Sequence, residues 1–369
     1  MRLSFDREKI LNAISIVSKA IPNKTTNDIL QCILFDARTE EISLSANDNE
    51  IGIKTKVEGS IKEKGMIALD AKLIYDIIRK LDDTGDQIHI FSDENHAAII
   101  SSGKSVFNIP GRDGEEFNYL PEIEKENYIC LSQFSLKEVL RQTLFSALPN
   151  DPNKIMGGEL LEVKTNKARF ITLDGHRISI RNISLRDDYL DHKVILPVKN
   201  LNEISKIISD DHEKDVYIYF SYHYILFEFN DTLVVSRIIE GEYFNIEHML
   251  LSDYELKIKI NRLKLMNAID RSIILIREND HKPLIFDIGE DLLKLRMESA
   301  YGTMRTEIEC EKTGKELMIA FNPKFLMDAL RVIDDEFVEI YFTNAKSPCF
   351  IRDNDRNYIY VILPVNFIS

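Results

Sequence analysis

The chain has 369 residues, 44% hydrophobic and 29% charged, with a net charge of −14. That composition describes a soluble globular protein with room for two or three domains. No apolar run reaches the roughly 18 residues of a bilayer span. The four cysteines (Cys32, Cys130, Cys310, Cys349) are scattered, which argues against a disulfide framework or a zinc site.

In chain order, residues 1–5 read directly into a strand rather than a secretory leader, so a cytoplasmic location is expected. Apolar residues then recur at i, i+3, i+4 spacing, which predicts a helix over 7–20 on Ile10, Leu11, Ile14 and Val17, with Asp6 as its cap. A second helix is expected over 71–81 on Leu73, Ile74, Ile77, Ile78 and Leu81, with Asp70 as its cap. Similar pairs follow at 134–146 and 199–208, and at 262–277 (Leu263, Met266, Ile269, Ile273) and 323–333, the last with Pro323 in its first turn. Between helices, alternating runs such as Val216-x-Ile218-x-Phe220, Leu293-x-Leu295-x-Met297 and Val338-x-Ile340-x-Phe342 predict strands. The acidic stretches near 119–128 and 247–256 read as linkers.

The pattern repeats. Gly114-Glu115-Glu116-Phe117-Asn118 returns 127 residues later as Gly241-Glu242-Tyr243-Phe244-Asn245. Lys72 returns as Lys199, again 127 on, and as Lys324, another 125 on. One unit is built three times, with expected domains at 1–120, 129–247 and 253–369. Each is α+β, two helices laid on one face of an antiparallel sheet.

The negative net charge argues at first against a nucleic-acid partner, but the charge is sorted. The six predicted helices hold sixteen basic and six acidic side chains, a balance of +10 that leaves −24 for the rest of a −14 chain. Lys72, Arg79, Lys80, Lys137, Arg141, Lys206 and Lys324 are among the bases. Such sorting fits a polyanion, although lysines on solvated helix faces are also the commonest surface pattern. No aromatic residues interleave with these bases and no phosphate loop is present, which leaves sequence-independent contact with duplex phosphates.

Chemistry has few candidates. Asp174-Gly175-His176-Arg177 places acid, imidazole and guanidinium together, yet Asp-Gly also marks a hairpin turn followed by an outward charged pair. The doublets Asp82-Asp83, Asp210-Asp211 and Asp334-Asp335 follow the second helix of every unit and belong to the repeated scaffold. No metal-ligand spacing occurs among the eight histidines. The chain reads as non-enzymatic, without cofactor or metal. The alternatives are a three-domain enzyme using Asp174, His176 and one acidic doublet for metal-assisted hydrolysis, and a monomeric peptide-binding scaffold.

Several segments together resemble the bacterial sliding clamps, the β subunits of DNA polymerase III. They are Phe145-Ser146-Ala147, Thr172-Leu173-Asp174-Gly175-His176-Arg177-Ile178, Val194-Ile195-Leu196-Pro197, Phe321-Asn322 and Tyr360-Val361-Ile362-Leu363-Pro364. The resemblance implies three clamp domains per chain and two chains joined head to tail in a closed ring, with twelve helices lining a duplex-sized hole. It implies DNA contacts at Lys24, Asn150, Lys154 and Lys199. The implied partners are double-stranded DNA, a second copy of the chain, the replicative polymerase alpha subunit, the clamp loader and other proteins with a clamp-binding motif, and no membrane. A pocket for their peptides would involve Met156, Leu173, Gly175, His176, Arg177, Ile178, Phe244, His248, Met249, Asn322, Phe325, Pro348, Val361, Leu363, Pro364 and Val365. The ring contact would pair Lys104, Phe107 and Ile109 with Ile274 and Leu275. Phe244 stands where the family usually has proline, and His248 where arginine is common.

Overall fold

In the computed structural model, which describes residues 1–81, 87–250, 253–277 and 282–367, helices start where a short polar side chain closes the first turn. Asp6 accepts from the Lys9 amide to open α1 (Arg7–Val17), and Asp70 from the Leu73 amide to open α2 (Ala71–Lys80). Ser132 Oγ accepts from the Ser135 amide at 3.1 Å at the start of α3 (Gln133–Thr143). The helix α4 (Val198–Ser205) follows Pro197, and α5 (Glu247–Leu250) is a single turn. Asn261 caps α6 (Arg262–Ile273), and Asn322 caps α7 (Pro323–Arg331), where Pro323 needs no amide partner. Among the described residues no helix is long and apolar enough to cross a membrane.

One predicted helix stripe loses a member and another is displaced. On α2 Ile74, Ile77 and Ile78, and Leu81 just past the helix, are buried as expected, while Leu73 is exposed. On α6 the stripe is Leu265, Ala268, Ile269 and Ser272, and Leu263 faces solvent. One position along a helix is a rotation of about 100°, so a leucine next to the stripe leaves the core. Asp82 and Asp83 lie outside the described residues.

Contacts divide the chain into two compact units, Met1–Lys137 with Lys199–Ile238, and Glu138–Val198 with Ile239–Ser369. The first holds a five-stranded sheet in the order Ser60–Glu63, Arg2–Phe5, Ile88–Ser92, Ala97–Ser102, Ser105–Pro110. Its second sheet has eight strands: Tyr128–Ser132, Asp215–Phe220, Tyr224–Phe229, Thr232–Arg237, Ile51–Val57, Ile42–Asn47, Cys32–Asp36 and Met66–Asp70. The other unit holds a seven-stranded sheet, Gly158–Leu173, Arg177–Pro197, Tyr358–Ile362, Cys349–Arg352, Phe337–Phe342, Leu256–Asn261 and Glu311–Gly314. Its four-stranded sheet runs Gly302–Glu309, Leu292–Ser299, Leu284–Ile288, Leu317–Phe321.

The expectation of one sheet per repeat is therefore replaced by two sheets within single repeats and two shared between repeats. In the eight-stranded sheet Ile53 pairs with Val234 and Thr55 with Thr232, joining first-repeat and second-repeat strands. In the seven-stranded sheet Ile178 pairs with Val361, joining second and third. Pairing two edge strands satisfies amides and carbonyls that each repeat alone would leave open. One face of the seven-stranded sheet buries Tyr360 with Phe321, Phe342 and the α6 and α7 stripes. Alternation puts Leu173, Ile178 and Val361 in a second apolar cluster with Tyr243, Ile246 and Phe350.

Candidate functional site

The turn between Gly158–Leu173 and Arg177–Pro197 sets the site. Gly175 has φ +81°, a conformation L side chains rarely take. Asp174 Oδ1 accepts from the amides of His176 (3.0 Å) and Arg177 (3.1 Å). The sequence suggests an outward charged pair here, but Arg177 folds inward. It donates to Asp174 Oδ2 (2.9 Å), Asp328 Oδ2 (2.6 Å) and the Phe145 carbonyl (2.7 Å), and lies 4.6 Å over the Phe325 ring and 5.3 Å over Phe145. A planar, weakly hydrated guanidinium tolerates burial when its donors are matched and its faces stacked. Asp174 is thus held by the turn and by Arg177, and neither side chain is left for acid–base work.

Beside this turn opens a cavity of about 240 Å³, lined by Met156, Leu173, Gly175, His176, Arg177, Ile178, Phe244, Asn245, Ile246, Met249, Val361 and Leu363. Sheet register supplies its floor, because Leu173 pairs with Ile178 and Ile178 with Val361. The Leu363 amide donates to the His176 carbonyl at 2.8 Å, which carries the last strand along the turn. Buried Tyr243 reaches the Ile171 carbonyl with its hydroxyl at 3.1 Å, and burial pushes its phenol pKa up. That anchor fixes the loop on which Phe244 stays 38% exposed. Asn245 Oδ1 then accepts from the Glu247 amide at 3.1 Å, starting α5 and setting Met249 into the wall.

Ten of the residues read from sequence come together here; Asn245 and Ile246 join them unforeseen, although Asn245 closes the repeated Gly241-to-Asn245 motif. The other six stand outside the wall. Phe325 stacks on His176 with ring centres 5.9 Å apart, and Asn322 caps α7. His248 is exposed on α5, Pro348 and Pro364 are half-buried, and the Val365 amide donates to the Ala320 carbonyl at 2.8 Å. The cavity presents thioether, aliphatic and aromatic surface with one imidazole at its rim. Such a wall adapts to apolar side chains, each contributing about 1.5–3 kcal/mol when fully buried.

The residues expected to meet DNA fall into two groups. Lys24, Lys72, Asn150, Lys154, Lys199 and Lys324 are exposed, and the five lysines among them form no ion pair among the described residues. The others are engaged: Arg79 with Asp76 (3.0 Å), Lys206 with Glu203 (2.7 Å), Arg141 with Glu138 and Asp334 (2.6 Å each), and Lys137 with Asp210 (2.9 Å). Lys80, exposed at the end of α2, joins the first group.

A device repeats three times within the charged set. Arg7 donates to the carbonyls of Ile78 (3.2 Å) and Arg79 (2.8 Å), Lys137 to Ile208 (3.3 Å), and Arg262 to Leu330 (3.2 Å) and Asp335 (2.9 Å). In each repeat a cation of the first helix donates to carbonyls in the last turn of the second helix or just past its end, where the helix dipole is negative. Counting charge per helix therefore overstates what faces outward.

Two of the sheet edges carry or adjoin the residues expected at the ring contact. Ser105–Pro110 ends the five-stranded sheet, with Val106 59% and Phe107 38% exposed, Lys104 exposed and Ile109 buried. Gly302–Glu309 ends the four-stranded sheet; Ile274, just past α6, is 79% exposed and Leu275 half-buried. Unpaired strand edges beside exposed apolar side chains are templates for pairing with another chain.

Comparison with known proteins agrees along the whole chain. Residues 1–121 match the N-terminal domain of the DNA polymerase III beta subunit family, 130–245 its central domain and 248–366 its C-terminal domain. The beta sliding clamp of Staphylococcus epidermidis is 32% identical over 376 aligned positions, covering 99% of each chain. Among solved structures, a putative DNA polymerase III beta subunit from Eubacterium rectale superposes with a TM-score of 0.97 at 50% identity, and the DNA polymerase sliding clamp of Bacillus subtilis with 0.96 at 28%. Both cover 100% of each chain.

Proposed function

Because this chain belongs to the DNA polymerase III beta subunit family, the bacterial sliding clamps, we propose that it closes as a head-to-tail homodimer around duplex DNA and tethers the replicative polymerase through the Leu173–Ile178–Val361 pocket. Membership makes it a sliding clamp of DNA replication, a processivity factor without chemistry of its own, with DNA and polymerase as partners. The finer reading rests above all on the pocket, an apolar cavity held open by a buried tyrosine and a glycine turn. The clamp loader and other proteins carrying a clamp-binding motif would use the same wall.

These two edges support the ring. A strand Ser105–Pro110 laid against Gly302–Glu309 of a second copy would satisfy both edges and cover Phe107, Ile274 and Leu275. Twofold symmetry makes that contact twice, which closes the assembly. The exposed Lys24, Lys72, Lys154, Lys199 and Lys324, with Asn150, support sequence-independent phosphate contact in the cytoplasm. The deciding measurement is retention on DNA after loading. Nicked circles should hold the protein and linear duplex should release it; equal retention would mean ordinary surface binding and would sink the ring.

A further inference from the structure

The pocket has a structural twin at the first inter-repeat junction. Asp48 Oδ1 accepts from the amides of Glu50 (2.9 Å) and Ile51 (2.7 Å), and the Asp48 amide donates to the Ile51 carbonyl (3.0 Å). Asp174 makes the same set with His176 and Arg177. Register follows: Asn47 pairs with Gly52 and Gly52 with Val235, as Leu173 pairs with Ile178 and Ile178 with Val361. Asn47, Gly52 and Val235 therefore occupy the floor positions of the open pocket.

Two of those positions lack the large apolar side chains of the open copy, and the linker fills the space. A Cβ on Gly52 would meet Leu120 Cγ at 2.8 Å, so Leu120 sits directly on the glycine. Asn47 Nδ2 donates to the Asn118 carbonyl (3.0 Å) and Asn118 Nδ2 to Asn49 Oδ1 (3.3 Å), pinning the linker across the turn. Leu120 and Ile123 pack on Tyr219, Leu226 and Val235. The linker is also the repeat partner of the loop beside the open pocket, Phe117-Asn118 matching Phe244-Asn245. After Asn245 the chain turns into α5 and leaves the cavity clear; after Asn118 it crosses the floor.

We propose that the first junction is a second copy of the peptide pocket closed in cis, with Leu120 standing where a partner's apolar side chain stands in the open copy. The mention of a partner rests on the function proposed above; the strap itself does not. Each chain thereby keeps one open peptide site although its fold builds two.

The test uses the full chain with Leu120→Ala and Ile123→Ala, and a fluorescent synthetic peptide of residues 117–125. The variant should bind one more equivalent of peptide per chain than the wild type. The same number bound by both, with unchanged circular dichroism, overturns the proposal. A second measurement does not depend on peptide binding. Gly52→Ala should lower the melting temperature in the wild-type background and have a much smaller effect beside Leu120→Ala; equal effects in both backgrounds also overturn it. A polymerase-derived peptide titrated against the wild type, whose first junction stays strapped, reports on the open pocket alone, so failure of that reading would show separately.

Discussion

Glu159 offers the sharpest test of the structure. It lies on the strand Gly158–Leu173 and is fully buried, with Thr143 as its hydrogen-bond partner and with Oε2 unpartnered among the described residues. Thr143 Oγ1 also sits 2.8 Å from the Val139 carbonyl. A hydroxyl has one proton; if that proton goes to Val139, the carboxyl must supply the one between Glu159 and Thr143. Burial agrees, pushing the Glu159 pKa from 4.5 to about 8 against the opposing effect of the Thr143 hydrogen bond. The sign follows from proton counting. Below pH 4.5 the carboxyl is protonated folded or unfolded and costs nothing. Between pH 4.5 and about 8 only the unfolded chain releases the proton, so stability falls by about 1.4 kcal/mol per pH unit. Above that the loss levels off at about 5 kcal/mol. Glu159→Gln keeps the shape and has no proton to release, so its stability relative to wild type should rise by roughly 4 kcal/mol from pH 5 to pH 8. Urea unfolding followed by far-ultraviolet circular dichroism suits a chain without tryptophan. Wild-type and variant curves that stay parallel across this range would refute the neutral carboxyl.

Phe107→Asp or Leu275→Asp should convert a dimer to monomer in light scattering, since an unpaired charge taken into an interface costs several kcal/mol; a dimer of unchanged mass would move the interface elsewhere. Replacing Lys24, Lys154 and Lys199 by alanine should flatten the salt dependence of duplex binding by about 0.9 in log–log slope for each phosphate no longer neutralised. Arg177→Ala should destabilise the chain by about 3 kcal/mol, because it strands the buried Asp174 carboxylate, and with it half-buried Asp328, without their partner. A loss under 1 kcal/mol in thermal melts would mean that the inward guanidinium is not what holds the turn.

Much of the fold is written locally. Asp6, Asp70 and Pro323 mark helix starts because capping depends on one side chain and the three residues after it. The threefold repeat is legible because duplication copies such local signals at a fixed offset. Pairings chosen by tertiary fit are not. Nothing local to Ile53 or Ile178 announces that its strand will bond to the next repeat. The inward turn of Arg177 depends on Asp328, 151 residues away. Leu263 reads as core from its apolar neighbours, yet a one-residue rotation puts it in water. In the pocket, Leu173, Ile178, Val361 and Leu363 are legible through resemblance, while Ile246 enters only once the Tyr243 anchor has folded its loop over the sheet.

The three intrarepeat caps bear on how freely such a protein could travel. With Arg7, Lys137 and Arg262 held by backbone carbonyls, the equivalent cations left exposed at the second helices of the three repeats are Lys72, Lys199 and Lys324. A lysine is a compact charge on a flexible stem, whereas arginine grips a phosphate with a rigid fork. If these lysines meet the duplex as proposed, each can let go of one phosphate while its stem swings to the next. The potential along the helix axis would then be shallow and nearly free of friction. Putting arginine at the three positions would roughen that path. Lateral diffusion of the loaded protein, followed molecule by molecule, should slow while its residence time on a circle stays the same.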